Sequence, residues 1–545
     1  MTVLDASPSL SSPAAGATLE PPREVEIEAW PLRSASGLTL FVPASMRSLS
    51  TYVLLEQERW FEPEVSLLAH LLQPGMNALD IGANHGMYTL EMARCVGSGH
   101  VWAFEPTSAP RSCLQRSVGA NDQQDRVTVV AAGLSDSAGQ ASFAIHDNSE
   151  MNSRDGHSLQ RETVRLETLD GYLAQHAIDL PIGFVKLDAE GDELRVMAGA
   201  SRFFANQSPV VMFEFKHGHA VNTALIGAWR ALGFDTFRWS AELELLLPFD
   251  AAVDEIACAL NLVAVRPQQQ RALAARGLLA TAQELRQVEP VAADPACLVA
   301  WCAHPALRGP AADTAVAAGG AVAAADLRAE VAAAAGETYT QALCDVASAH
   351  LQPGLRPAQR VALLVRARES LLAAAARDEI FGPEAWCLVV HCRNALGEPG
   401  GAVAMGSELL AYWQAQPEPA LPADGFVPFV PPQRADLDRP RSTGAASWLR
   451  QVLAEFVAVR GSFSSYFVAA EPQRWAALLQ HPDHSAEIER RYLLVHASHD
   501  RVARLDGLRL LPDPRHTSNP QLWQSLIEAM RPADPAPRAR AAGGH

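Results

Sequence analysis

The reading of this chain turns on one stretch, Leu79-Asp80-Ile81-Gly82-Ala83-Asn84-His85-Gly86. Residues 78–81 read as a short buried strand, and residues 87–96 carry helical spacing up to the glycines at 97 and 99. A strand that turns through two glycines into a helix lets backbone amides approach a ligand, because glycine has no Cβ in the way. The helix start adds a partial positive field. The spacing Asp-x-Gly-x-x-x-Gly differs from the dinucleotide pattern Gly-x-Gly-x-x-Gly, and no lysine follows to hold a triphosphate.

One strand further on, residues 101–105 end in Glu105, with Pro106 closing the extended run. A carboxylate at that position can accept both hydroxyls of a ribose. An adenosine-type ligand without a pyrophosphate fits, which is S-adenosylmethionine. A plain tight turn would explain the glycines alone, but not the placement of Glu105.

Outward from this point, strand patterns at 127–132, 141–145, 184–187, 210–215 and 261–265 alternate with helical ones at 111–121, 194–204 and 223–232. That alternation implies an α/β unit of Rossmann-like type: a mostly parallel sheet with helices on both faces. We assign it to residues 24–266. Residues 1–23, rich in Ser, Ala and Pro, are expected to be a disordered leader. Residues 49–72 form a helical lead-in, broken near Pro63.

From Pro267 to residue 531 the chain is dominated by Ala, Leu, Arg and Glu, and a mainly α-helical C-terminal region is expected, of one or more domains. A weak echo sets Cys297-Leu-Val-Ala-Trp-Cys302 against Cys387-Leu-Val-Val-His-Cys392, each followed later by Ala-Val-Ala-x-Gly at 315–319 and 402–406. Stacked helical repeats and chance in Ala-rich sequence both account for it. The four cysteines read as core packing. Residues 417–440 are Pro-rich, as in a linker, and 532–545 are expected to be a disordered tail.

A chain of 545 residues exceeds one ordinary core. Its formal charge of −17, from 44 basic against 61 acidic residues, argues against nucleic acid as a partner. Eight scattered cysteines, no signal-peptide pattern and no apolar run of ~20 residues suggest a cytoplasmic protein without a membrane span.

A second stretch is Val185-Lys186-Leu187-Asp188-Ala189-Glu190-Gly191-Asp192-Glu193. Asp188 falls at a strand's carboxyl end, the edge where open α/β sheets bind ligands. Asp192 and Glu193 suit a solvated helix start. Asp188 and Glu190 are less well explained that way.

Together these segments carry a resemblance. Asp80-Ile-Gly-Ala-Asn-His-Gly86-Met-Tyr88-Thr, then Phe104-Glu105-Pro106, Leu134-Ser135-Asp136 and Lys186-Leu-Asp188-Ala-Glu190-Gly191-Asp-Glu193 resemble the FkbM family of S-adenosylmethionine-dependent methyltransferases. The likeness spans about residues 61–214. It implies a Rossmann-like methyltransferase fold and methylation of hydroxyl oxygens on sugars or polyketides. It also implies cofactor contacts at Asp80, Gly82, Asn84, Gly86 and Glu105, with Ser135 and Asp136 counted beside them. Ala189 departs mildly, since the family usually has a β-branched residue there.

An alcohol holds its proton about as tightly as water, with a pKa of roughly 16. A carboxylate in hydrogen-bond reach can take that proton as the new bond forms. Asp188 is therefore expected to be the base or substrate anchor, with Lys186 and Glu190 orienting it. Glu214 with His217 and His219 offers the alternative of a divalent metal, which is not favoured. The polar segment 148–157 is a candidate lid over a small-molecule, glycan or secondary-metabolite acceptor. The helical region is a candidate dock for the acceptor, a carrier or a protein partner. A methyltransferase-like scaffold that binds cofactor without turnover is the rival reading, and N-methylation of a small molecule a third.

Overall fold

The computed structural model describes residues 25–146, 148–154, 158–217, 220–256, 259–302, 321–377, 382–415, 442–467, 471–498 and 516–530. The expected leader, the tail, the Pro-rich stretch 417–440, the echo segment 315–319, His157 and His219 lie outside them.

The centre is an eight-stranded sheet: β1 (Asn77–Ile81), β2 (Val101–Phe104), β3 (Val127–Val130), β4 (Ile182–Leu187), β5 (Val210–Glu214), β6 (Asp235–Ser240), β7 (Leu245–Pro248) and β8 (Asn261–Val265). Their spatial order is β7-β6-β8-β5-β4-β1-β2-β3. Strands β3, β2, β1, β4 and β5 are mutually parallel, while β8 runs antiparallel to both β5 and β6, and β7 to β6. The sheet is thus mixed but mostly parallel, with a helical C-terminal region, as the alternation of patterns implied.

Side chains split between the faces with the period of two that strands impose. On β1, Ala78 joins the core on one face and Leu79 and Ile81 the core on the other. Both faces are covered, so these strands read as apolar runs. β4 shows the same split, with Phe184 on the first face and Val185 and Leu187 on the second.

Where the structure departs from expectation, the causes are local. The helix expected over 194–204 is two helices, Glu193–Gly199 and Ser201–Asn206. Gly199 lies so close to the Ser135 carbonyl that a Cβ would come within 2.0 Å of its oxygen. The Asp170 carboxylate accepts the Arg202 and Phe203 amides, both at 2.8 Å, and so starts a second helix there. Strands β6, β7, Ala29–Arg33 and Arg161–Glu167 are additions to the expected pattern; Ala29–Arg33 pairs with Thr39–Pro43, and Arg161–Glu167 with Gly139–Ala144, which overlaps the strand expected at 141–145.

The helical half packs directly onto the sheet domain. Every residue of the helix Leu49–Gln57 is buried. Trp475, Ile488, Tyr492 and Trp523 share one core with Leu54, Leu55 and the sheet face. Polar groups lock the junction. Arg491, wholly buried, faces the wholly buried Glu56 at 3.4 Å and Glu487 at 2.8 Å. Glu56 Oε1 also accepts the Ser465 amide at 2.9 Å. The Gln57 amide donates to the Phe463 carbonyl at 2.7 Å, and Asn519 pairs both backbone groups of Arg33. Cys302 and Cys392 lie in one helical core and Cys387 in a neighbouring one.

Removing one partner of a buried ion pair strands the other charge. Arg491→Met should lower unfolding free energy by about 3–5 kcal/mol, read by urea denaturation, with one cooperative transition lost from both halves together.

Candidate active site

The carboxyl ends of β2, β1, β4 and β5 lie side by side. Asp80 is in register with Ala103 of β2 and Lys186 of β4, and Leu187 with Phe213 of β5. Glu105, Gly82, Asp188 and Glu214 therefore follow one another along a single rim. They line a cavity of about 820 Å³, within the range that holds a cofactor and more.

The first turn is built on close approach. Gly82 has φ +82, and a Cβ there would come within 1.7 Å of the Asp188 carbonyl oxygen. The Gly82 and Ala83 amides donate to the Phe104 carbonyl at 3.1 and 3.0 Å, and the Asp188 amide to the Ile81 carbonyl at 3.0 Å. Asn84 follows with φ 48. Its amide donates to Glu105 Oε2 at 2.9 Å, and the Thr107 amide to Glu105 Oε1 at 2.8 Å. Burial pushes the Glu105 carboxyl above its usual range, against the pull of Thr107.

Beneath the rim lies a buried charge relay. Lys186 Nζ is 2.8 Å from Asp188 Oδ2 and 3.9 Å from Asp80 Oδ1. It sits 4.9 Å from the centre of the Tyr88 ring and donates to the Gly82 carbonyl at 3.3 Å. Burial alone would lower this ammonium's pKa, but Asp188 and Asp80 hold it above the ordinary lysine value. Asp80 also accepts from Thr89 Oγ1 at 2.5 Å. The other oxygen of Asp188 is buried without a hydrogen-bond partner among the described residues.

The structure brings Gly82, Asn84, Glu105, Lys186, Asp188 and Glu190 to the cavity wall. Asp80 is wholly buried behind it, beside Lys186. Gly86 has φ +94 and leaves no room for a Cβ, which would meet Leu114 at 2.6 Å. Ser135 is buried and accepts from Arg154 at 3.1 Å, while Asp136 is exposed; neither is among the lining residues. Glu193 accepts the Ala189 and Gly191 amides, and so shapes the loop. Asp192 pairs with Arg154 at 3.1 Å.

Part of the segment expected as a lid forms a wall. Ser149 donates to Asn84 Oδ1 at 2.9 Å, and Glu150 accepts from Ser50, which also bonds His85 Nδ1 at 2.9 Å. Burial drives His85 down to about 3, so it is neutral.

Sequence reasoning missed several wall residues. Tyr88 donates to Glu62 at 2.5 Å, and Asn261 donates to the same oxygen at 3.0 Å. Phe463 and Phe467 reach in from the helical half and pack against Phe61, at 6.2 and 6.0 Å between ring centres. Glu62 carries no local signal, and the two aromatics lie some 400 positions away, as the 406-residue separation of Gln57 and Phe463 illustrates. Among the described residues, no group of three His, Cys, Asp or Glu is arranged to hold a metal. The side chains of His217 and His219 lie outside them.

Residues 80–236 match the model of the methyltransferase FkbM domain. The chain carries an S-adenosylmethionine-dependent methyltransferase domain of the FkbM family. The chain is 26% identical over 195 residues to the methyltransferase sdnD of Sordaria araneosa, a match covering 30% of the chain and 75% of that protein. The crystal structure of methyltransferase FkbM from Methylobacillus flagellatus is 16% identical, with a TM-score of 0.25, over 37% of this chain and 50% of that one. The chain thus spans about half the length of that protein. The SAM-dependent O-methyltransferase of Thermotoga maritima is 15% identical, with a TM-score of 0.23, over 44% of this chain and 77% of the other.

The residues of the FkbM domain fit that cofactor. Glu105 takes hydrogen bonds from Asn84 and Thr107 on two oxygens that offer about four acceptor sites, leaving capacity for ribose. The acidic wall also suits a sulfonium cation.

A neighbouring carboxylate supplies a pH signature. Glu64 is pushed up to about 8 by burial and by Glu62 beside it. A carboxyl raised on folding stabilises the fold below its unfolded value, and that contribution is lost as pH rises through the folded one. Wild type should therefore lose stability between pH 5 and pH 9. Glu64→Gln should remove a loss on the order of a few kcal/mol, visible as a narrowing gap between urea midpoints at the two pH values.

Proposed function

We propose that the chain transfers a methyl group to a hydroxyl oxygen of a sugar, glycan or secondary-metabolite intermediate, with Asp188 as general base. The supporting observation is the Asp188 carboxylate itself. One oxygen is fixed by Lys186, and the other is buried at the cavity wall without a partner among the described residues. That second oxygen is an acceptor that a substrate hydroxyl completes.

S-adenosylmethionine, when bound, would supply an electrophilic methyl group and leave as the neutral thioether once that group is on the hydroxyl oxygen. The chain's own residues do the rest. Glu105 and the turn at Gly82–Asn84 hold the nucleoside end. Asp188 aligns the hydroxyl and takes its proton. Lys186 pairs with Asp188 and fixes its orientation, and Asp80 anchors Lys186 from below. Glu190 shapes the rim with φ 53, a conformation that holds its backbone close to the cavity. Fixed alignment of reacting groups is worth roughly 7–11 kcal/mol of barrier, and a positioned base adds about 10²–10⁴-fold.

Asp188→Asn keeps the shape and removes the base. Transfer of labelled methyl across a panel of hydroxyl-bearing acceptors should fall about 10²–10⁴-fold, with cofactor affinity nearly unchanged. Turnover equal to wild type would remove Asp188 from this role. Transfer to amines alone would replace the hydroxyl reading.

A further inference from the structure

A second chamber of about 360 Å³ opens beside the first. The two share Leu260, Asn261, Gly461 and Phe463 as lining residues. The chamber lies between the antiparallel end of the sheet and the helical half, from which Asn394, Val403 and Arg460 face it.

Most charges in its walls are already matched. Arg238 pairs with Asp254 and donates to the Leu396 carbonyl. Arg460 faces Glu242 at 3.3 Å. Glu255 accepts the Gly400 and Gly401 amides at 2.7 and 2.8 Å. Two buried atoms in these walls have no hydrogen-bond partner among the described residues, Arg238 Nε and Oε2 of Glu64, a residue 6% exposed. A buried oxygen of that kind costs stability unless a ligand satisfies it. With a pKa near 8 the group carries its proton at neutral pH, so it can both donate and accept. Hydroxyl-rich ligands offer both complements.

The main cavity sets the charge of what can enter. Carboxylates of Glu62, Glu105, Glu150, Asp188, Glu190 and Glu214 line it, and the lysines among the lining residues are Lys186 and Lys216. An added phosphate or sulfate would meet this field at close range. Phe61, Phe463 and Phe467 also line the cavity, the last two packed edge to face on Phe61, with Phe467 55% exposed, an apolar surface of the kind that the C–H faces of a sugar can meet.

We propose that the acceptor is an oligosaccharide or glycoside free of anionic groups, whose methylated sugar lies at Asp188 and whose next unit occupies the second chamber against Glu64. This rests on the hydroxyl-transfer reading above and extends it to a substrate class. The helical half thereby acts as the specificity element of the enzyme.

The test uses the full chain saturated with S-adenosylhomocysteine, on an array of neutral, amino-bearing, sulfated and phosphorylated oligosaccharides. Calorimetry then follows on the best binder and its single-sugar fragment. Neutral or amino-bearing glycans should bind, and the two-unit form at least tenfold more tightly than the one-unit form. Val403→Trp, which fills the second chamber, should abolish that tenfold gain, as should Glu64→Leu if the tryptophan variant fails to fold. Preference for anionic glycans, absence of binding to any glycan, or a gain that survives both substitutions overturns the proposal. Asp188→Asn separates the two claims. Glycan binding that persists without turnover in wild type defeats the transfer reading alone, and turnover indifferent to the chamber substitutions defeats this one alone.

Discussion

A single buried ammonium group holds the rim of the main cavity together. Lys186 is enclosed between Asp80 at the end of one strand and Asp188 just past the end of the next, with the Tyr88 ring beside it. Two carboxylates placed this near each other under a sheet edge would repel, and each would lose its hydration. The ammonium offsets both terms. It also donates to the Gly82 carbonyl, so the Gly82 turn and the Asp188 loop share one electrostatic keystone. Gly82 completes the joint, because any side chain there would displace the Asp188 backbone.

This coupling explains why the site mixes rigid and unsatisfied groups. Asp80, Lys186, Glu193 and the Glu105 carboxylate are tied to neighbours on several sides. One oxygen each of Asp188, Glu150 and Glu64 has no hydrogen-bond partner among the described residues, and neither has Oδ1 of Asp80, which lies 3.9 Å from Lys186. Fixed donors and acceptors hold geometry, and open ones await a ligand.

Much of the sheet domain was legible in the sequence because its signals are local. The helix Met87–Val96 and the strand Asn261–Val265 have the bounds that periodicity implies. The rim residues Gly82, Glu105 and Asp188 follow from strand ends read one at a time. What stayed hidden depends on distance along the chain. Glu56 and Arg491 look like surface residues in isolation and are wholly buried as a pair. Phe463 and Phe467 lie in a region whose composition announces only helix, yet they face the cavity. The split of the helix at Ala200 comes from contacts with Ser135 and Asp170, which no helical pattern reports. Site residues held by backbone turns were readable; those delivered by packing between the halves were not.

The buried helix Leu49–Gln57 has a consequence for how the molecule is made. Its covering partner Arg490 is bonded to Glu56 across 434 positions. At translation rates of about 5–20 residues per second, that interval lasts roughly 20–90 s. Through it the helix lacks this cover, and from Val265 onward it does so beside a sheet whose last strand has already been made. The cover is finished only by Tyr492 and Trp523, which follow the cavity residues Phe463 and Phe467 in the chain.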